Sequence, residues 1–262
     1  MVVGKMLMHE RRNAILEYLD KDQRIVVSDL SQRLNVSEAT LRNDLNNMEK
    51  EGLLKRTHGG AVLVDQEPED NKFFNFSTRE KKNKEEKYLI STKAQKLITN
   101  NQCILLDASS TALELAKRLK DDSDRKRLTI VTNGIYTALE LRDVAEFTVI
   151  LIGGVIRAGS SALESTIDAG VLKKINVDIM FTSASGFDFE NGLTDFNVYE
   201  VELKKEMVKA SNRVVALLDH TKFGKKSIVS FAAIDQIDTL IIDNQISEED
   251  KRLLKERDIN VL

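Results

Sequence analysis

The chain has 262 residues, 42% of them hydrophobic and 31% charged, which is long and apolar enough for one large core or two unequal ones and excludes a mostly disordered polymer. No run of about 18 uncharged apolar residues occurs, and Met1-Val2-Val3-Gly4-Lys5 leads straight into charged His9-Glu10-Arg11-Arg12, so neither a membrane span nor a signal-peptide core is expected and the expected location is cytoplasmic. A net charge of -3 and the single cysteine, Cys103, exclude a uniformly nucleic-acid-binding surface, an internal disulfide and a Cys-rich metal site.

The first elements are three short helices. Residues 8 to 20 place Ile15, Leu16 and Leu19 on one side, residues 28 to 34 do the same with Leu30 and Leu34, and residues 38 to 51 with Leu41, Leu45 and Met48. Ser28 and Ser37 stand where N-cap residues belong, and Asn35-Val36 reads as the turn between the second and third helices. Two strand-like runs, Leu53 to Thr57 and Ala61 to Val64, flank His58-Gly59-Gly60 and predict a small β wing over the end of a 1–64 domain. Residues 1 to 60 carry ten Lys/Arg against nine Asp/Glu, so any DNA affinity must come from where the charges sit and from at least two copies acting together.

On the third helix, the inward Leu41, Leu45 and Met48 leave Glu38, Thr40, Arg42, Asn43, Asn46 and Asn47 outward. Arg and Asn pair with guanine and adenine edges in the major groove, while Ser and Thr hold phosphates. The residues expected to touch DNA are Ser28, Ser37, Glu38, Thr40, Arg42, Asn43 and Asn46, with Arg56 and His58 from the wing. The same pattern also describes an ordinary solvated helix face, and the three helices could serve only to dimerise.

Four stretches of this module, Glu10-Arg11-Arg12-Asn13-Ala14-Ile15-Leu16, Val27-Ser28-Asp29-Leu30, Asn35 to Leu45 and Glu51 to Ala61, closely resemble the DNA-binding domain of the DeoR family of bacterial transcriptional repressors. The resemblance implies a winged helix-turn-helix whose Ser37 to Glu49 helix enters the major groove of operator DNA. The family's usual second arginine is here Asn43, which bears on operator preference.

Residues 65–78 are polar, hold the only proline, Pro68, and read as a linker to a 79–262 domain. A long charged helix is expected from Arg79, with Ile90, Ala94, Leu97 and Ile98 on its buried side. Apolar runs at Cys103–Leu106, Leu128–Val131, Phe147–Ile152, Val177–Phe181, Val214–Leu218 and Thr239–Ile242 then alternate with helical periods. That order predicts an α/β domain with a mainly parallel sheet covered on both faces, in which Cys103 is an inert buried thiol.

Polar residues recur just after these strands. Asp107-Ala108-Ser109-Ser110-Thr111 opens a helix, where backbone N–H groups and hydroxyls favour an anion, and Thr132-Asn133, Gly153-Gly154 with Arg157, Ser183-Ala184-Ser185-Gly186, and Asp219 with Lys222 follow later strands. In open α/β sheets the carboxyl ends of strands share one rim, so these segments can converge.

The DeoR resemblance continues through Leu105 to Thr111, Val131-Thr132-Asn133, Gly153 to Arg157, Ala184 to Asp188, Gly192-Leu193-Thr194, Glu202-Leu203-Lys204 and Asp219 to Gly224. It implies a sensor similar in fold to ribose-phosphate isomerases that takes a phosphorylated sugar or sugar alcohol. By that carry-over Asp107, Ser109, Ser110 and Thr111 hold phosphate or hydroxyls, Thr132 and Asn133 line the cleft with Gly153 and Gly154 nearby, and Arg157, Lys204 and Lys222 supply charge. Ser110 stands where the family usually has glycine, and Ser165-Thr166 replaces a usual Gly-Pro.

The expected function is a repressor of a sugar-metabolism operon, working as a dimer or larger homo-oligomer, with no cofactor and no catalytic role. The alternative is a phosphosugar isomerase-like enzyme with an accessory helical module. Its candidate bases, Asp107, Glu200, Glu202 and Asp219, read more simply as hydroxyl ligands or surface charges, and His9, His58 and His220 are too scattered for a metal site.

Overall fold

The computed structural model describes residues 8–22, 24–51, 53–57, 59–63, 76–122, 127–157, 160–164 and 169–262; His58, most of the expected linker and Ser165-Thr166 lie outside them. The chain divides into two compact units, Met1–Phe74 and Asn75–Leu262.

In the first unit, α1 (Met8–Asp22), α2 (Val27–Leu34) and α3 (Glu38–Lys50) match the three expected helices. Ile15, Leu19, Leu30, Leu41, Leu45 and Met48 meet Ile25, Leu54 and Ala61 in one apolar core. Asn35 closes α2 in the left-handed region at φ 52°, which a short polar side chain tolerates better than most. The wing is a three-stranded sheet in the order β1 (Arg24–Val26), β3 (Gly60–Leu63), β2 (Leu54–Thr57). Strand β1 was not expected: three residues are too few to show alternation. It pairs antiparallel with β3, Val26 opposite Gly60, and a Cβ on Gly60 would fall 1.8 Å from the Ile25 carbonyl oxygen, so only glycine permits the pairing. The N-cap reading of Ser28 is corrected too. Helix α2 begins one residue earlier, at Val27, with Val26 at the cap position and no side-chain cap, so Ser28 is an exposed first-turn residue.

The second unit opens with α4 (Phe76–Lys81) and α5 (Lys84–Gln95). The single long helix expected from Arg79 is therefore two, broken at Lys82-Asn83 where Asn83 takes φ 51°, and the helical start lies inside the expected linker. The sheet comprises β4 (Cys103–Leu106), β5 (Leu128–Thr132), β6 (Phe147–Leu151), β9 (Ile179–Thr182), β12 (Val214–Leu218), β14 (Thr239–Ile242) and β15 (Asn260–Val261). Its order is β15-β14-β12-β9-β4-β5-β6, and every pair is parallel.

Along β4 the side chains alternate as a two-faced strand requires. Leu105 joins Met180, Ala216 and Leu240 on one face; Ile104 and Leu106 join Phe181, Val215 and Ile241 on the other, against α5 and α6 (Ser110–Asp121). Helices α7 (Ile135–Leu141), α8 (Val198–Lys209) and α9 (Glu248–Lys255) complete the crossovers. A second sheet went unforeseen: β10 (Gly186–Asp188), β11 (Gly192–Asp195) and β13 (Val229–Ala232), antiparallel, beside the hairpin of β7 (Val155–Ile156) and β8 (Leu163–Glu164). Cys103 is half-buried rather than buried, and burial pushes its thiol up.

Candidate functional site

In the first unit, α3 is started by Ser37, whose Oγ accepts the Thr40 amide at 3.3 Å and lies 2.8 Å from Thr40 Oγ1. Its inward stripe holds one polar residue, Asp44, which is buried because Arg11 reaches it from α1 with Nε at 2.7 Å from Oδ2. That bond ties α3 to α1, and Arg42, Asn43, Asn46 and Asn47 on the opposite side are exposed together. Arg42 is 59% exposed and, among the described residues, pairs with Glu38 on its own helix, at 2.8 Å. The wing is tied to the same helix through the Arg56 amide, which donates to Glu49 Oε1 at 2.7 Å, while the buried Arg56 Nη1 has no hydrogen-bond partner among the described residues. The expected DNA-facing residues other than His58 thus fall on α2, on α3 with its cap Ser37, and on β2. The protruding helix beside a wing carries donors suited to a groove.

In the second unit, the carboxyl ends of β4, β9 and β12 are neighbours, so Asp107, Ser183 and Asp219 rise from adjacent strands. Asp107 is fully buried and saturated: Oδ1 accepts the Ser109 amide at 3.0 Å, and Oδ2 accepts Thr182 Oγ1 at 2.7 Å and the Ser183 amide at 3.0 Å. Lys204 from α8 is also buried, with Nζ 3.1 Å from Asp107, 2.8 Å from Asp195 Oδ2 and 3.0 Å from the Ser183 carbonyl. Asp107 and Lys204 therefore brace the floor of a cleft and have little left to offer a ligand. Burial works against the Lys204 ammonium, but Asp195, Asp107 and Glu200 outweigh it and raise its pKa. Asp195 is opposed by burial and held low by Lys204. Glu200, 3.7 Å from Lys204, is pushed up to about 7, chiefly by burial.

The cleft above this floor encloses about 60 Å³. One wall is the start of α6, where Ser109 Oγ takes the Ala112 amide at 3.1 Å and leaves the Ser110 and Thr111 amides as open first-turn donors. The other walls carry Arg79, Lys82, Lys87 and Lys222. Lys87 is committed: it donates to the carbonyls of Arg79 and Lys82, and burial lowers it to about 8. Arg79, Lys82 and Lys222 make no side-chain hydrogen bond or ion pair among the described residues, and Arg79 Nε is buried without a partner. Lys222 is lowered by burial first, with Lys82 and Arg79 adding to the effect against Asp219. Three cations without a side-chain hydrogen bond or ion pair among the described residues, Arg79 among them over the Phe76 ring at 5.4 Å, and two first-turn amides around one small space suit an anion.

Of the expected effector residues, Asp107 lies beneath this cleft, and Ser109, Ser110, Thr111, Lys204 and Lys222 line it. Thr132, Asn133, Gly153, Gly154 and Arg157 do not. Thr132 Oγ1 accepts the Gly134 amide at 3.0 Å, and Asn133 Nδ2 donates to the Leu163 carbonyl at 3.2 Å while its Oδ1 stays buried and unpaired. A Cβ on Gly154 would fall 2.4 Å from the Glu164 carbonyl oxygen, which explains that glycine by chain packing. Arg157 lies over the Tyr199 ring at 3.6 Å, with Nε 2.8 Å from Glu164 Oε2. Sequence reasoning missed Arg79, Lys82, Asn83 and Lys87, which it read only as part of a long charged helix. Lys87 stands three and seven residues before the buried Ile90 and Ala94, and that spacing is the signal that could have found it.

Two family matches bear on these geometries. Residues 11–67 match the DeoR-like helix-turn-helix domain, and residues 82–244 match the DeoR C terminal sensor domain. The chain belongs to the DeoR family. The HTH-type transcriptional regulator GolR of Listeria innocua serovar 6a is 48% identical over 243 residues, covering 93% of each chain. The glycerol-3-phosphate regulon repressor of Escherichia coli (strain K12) is 29% identical over 240 residues, covering 91% of this chain and 92% of that one. Among solved structures, ribose 5-phosphate isomerase A from Methanocaldococcus jannaschii aligns over 54% of this chain and 55% of that one, at 17% identity and a TM-score of 0.41. As a DeoR-family chain with its helix-turn-helix and its sensor domain, this protein is a DNA-binding transcriptional regulator and not an enzyme. No helix among the described residues is long and apolar enough to cross a membrane.

Proposed function

We propose that the protein is a cytoplasmic repressor of a carbohydrate operon, and that a phosphorylated sugar or sugar alcohol bound in the sensor cleft changes its grip on operator DNA. The observation that carries this reading is the set of uncommitted cations, Arg79, Lys82 and Lys222, gathered opposite the open amides of α6. A phosphate group satisfies both at once, and the names borne by the relatives agree with such a ligand. Ser109, Ser110 and Thr111, with Arg79, Lys82 and Lys222, contact the phosphate. On the DNA side, Arg42, Asn43 and Asn46 read base edges, Ser28, Ser37, Glu38 and Thr40 position the helix, and Arg56 and His58 meet the backbone. A homodimer or larger oligomer presents two such helices to a two-fold operator, which compensates for the near-neutral charge of one module. The effector acts only through unequal affinity for the DNA-bound and free states.

The test joins two measurements. Operator duplexes are selected from a random library with the full chain, and the chain is then titrated with a panel of sugar phosphates by thermal shift, with and without the selected duplex. A raised melting temperature together with an altered duplex affinity is the expected result. No shift with any phosphorylated compound, or no enriched duplex, defeats the reading.

A further inference from the structure

We propose that Arg79 and Lys82 are the residues through which the cleft signals to the DNA-binding unit: the bound phosphate draws these two cations inward and thereby fixes α4, the helix that follows directly in sequence from that unit. The inference rests on the reading of the cleft as a phosphosugar site. It starts from an asymmetry among the cleft's cations. Lys204 and Lys87 are consumed by protein acceptors, whereas Arg79, Lys82 and Lys222 line the space without a side-chain hydrogen bond among the described residues. Two of those three come from the stretch 76–83, the first described residues of the sensor unit.

That stretch buries little apolar surface and is held mainly by polar contacts. Phe76 is the one buried residue of α4, and its ring stacks on half-exposed Tyr136 at 4.9 Å. Other ties are polar and include the Lys87 ammonium on the Arg79 and Lys82 carbonyls, Lys117 to Glu80 at 2.7 Å, Ser110 Oγ to the Arg79 carbonyl at 3.3 Å, and Asn83 Nδ2 to Thr221 Oγ1 at 3.4 Å, while the Arg79 guanidinium lies over the Phe76 ring at 5.4 Å. A helix with one buried side chain sits at the low end of local stability. Arg79, Lys82 and Lys222 line one small cleft and repel one another as like charges; burial first, and then Lys82 and Arg79 against Asp219 and Asp195, lower the Lys222 pKa. A dianion in the cleft converts that repulsion into attraction. The two states of α4 then differ in affinity for the anion, as ligand-driven switching requires. Because Ser110 already hydrogen-bonds the Arg79 carbonyl, the anion-binding turn of α6 and the signalling helix are in direct contact.

Amide hydrogen exchange on the full chain tests this, with inorganic phosphate as the first probe and the best sugar phosphate of the panel as the second. The expected result is that exchange slows by about tenfold or more at residues 76–83 as well as at 110–113. Arg79→Gln/Lys82→Gln removes two of the cleft's cations and weakens phosphate binding; at probe concentrations high enough to restore full protection at 110–113, exchange at 76–83 stays fast and the effector-driven change in operator affinity falls below about twofold. Arg79→Lys/Lys82→Arg restores most of that change. Protection confined to 110–113, or a double variant that responds to effector as the parent does, overturns the signalling role while leaving the cleft reading intact. No protection at either segment with any probe removes the cleft reading and this inference together.

Discussion

The two units place their charges in opposite circumstances. On the reading helix, Arg42 and Glu38 form an ion pair at 59% and 44% exposure, a contact that water and salt screen almost entirely. Beneath the sensor cleft, Lys204, Asp107 and Asp195 form a cluster at 2%, 0% and 9% side-chain exposure. The first arrangement lets an arginine exchange its carboxylate for a base edge at small cost. The second lets a polar cleft keep its shape while empty, because each buried charge already has partners. A reading surface needs charges that are cheap to release, and a sensor floor needs charges that are costly to disturb.

The largest expected effect follows from removing the central cation of the buried set. Lys204→Met leaves Asp107 and Asp195 in the floor without their shared counter-charge, and is expected to destabilise the sensor unit by about 3–5 kcal/mol in urea unfolding. A loss below about 1 kcal/mol would mean that the cluster resembles the surface pair after all. Glu200→Gln should move stability the other way. Its folded pKa, about 7, lies above the 4.5 of a free glutamate, so the folded chain binds the extra proton between those values. The stability tied to that proton is complete below the unfolded pKa and is lost as pH rises through 7. The parent should therefore weaken relative to Glu200→Gln between about pH 5 and 8, by roughly 1–3 kcal/mol. Parallel stability curves across that range would show that Glu200 titrates normally.

The same contrast explains what the sequence made legible. Apolar spacing located α1, α2 and α3 and six strands of the parallel sheet, because a helix stripe or a doubly buried strand writes its period into the chain. Ser109, Ser110 and Thr111 were visible because a strand end that opens a helix has a local signature. Strand β1 and the β10-β11-β13 sheet were not, since short antiparallel strands are set by partners distant in sequence. Arg79 and Lys82 were missed for a related reason: a basic residue beside a cleft and one facing water look alike until the chain is folded. Lys204 shows the converse. The residue was expected in the site, and the structure places it there with its donors already taken by Asp195, Asp107 and the Ser183 carbonyl.

Smaller effects are expected on the exposed side of the comparison. Arg42→Ala should weaken operator binding by about 1–3 kcal/mol if the guanidinium pairs with a base edge. It should cost no more than about 0.5 kcal/mol of folding stability, since only an exposed i,i+4 pair is lost. Titration of the selected duplex at fixed salt, beside a melt of the variant, separates the two. If binding and melting fall in proportion, Arg42 is part of the scaffold and the distinction between the units fails there.

Ser37→Ala probes the boundary between the two kinds of residue. Ser37 is exposed, yet its Oγ accepts the Thr40 amide that starts α3, and its removal should cost about 1 kcal/mol of stability in the first unit. Operator affinity should drop through fraying of the first helical turn, where Glu38 and Thr40 lie. Ser37→Asp restores the cap, because a carboxylate accepts the same amide and favours a helix N-terminus, but it brings a negative charge to the phosphate backbone. Recovery of the melting temperature without recovery of binding therefore places Ser37 against the DNA, whereas recovery of both confines its role to starting the helix.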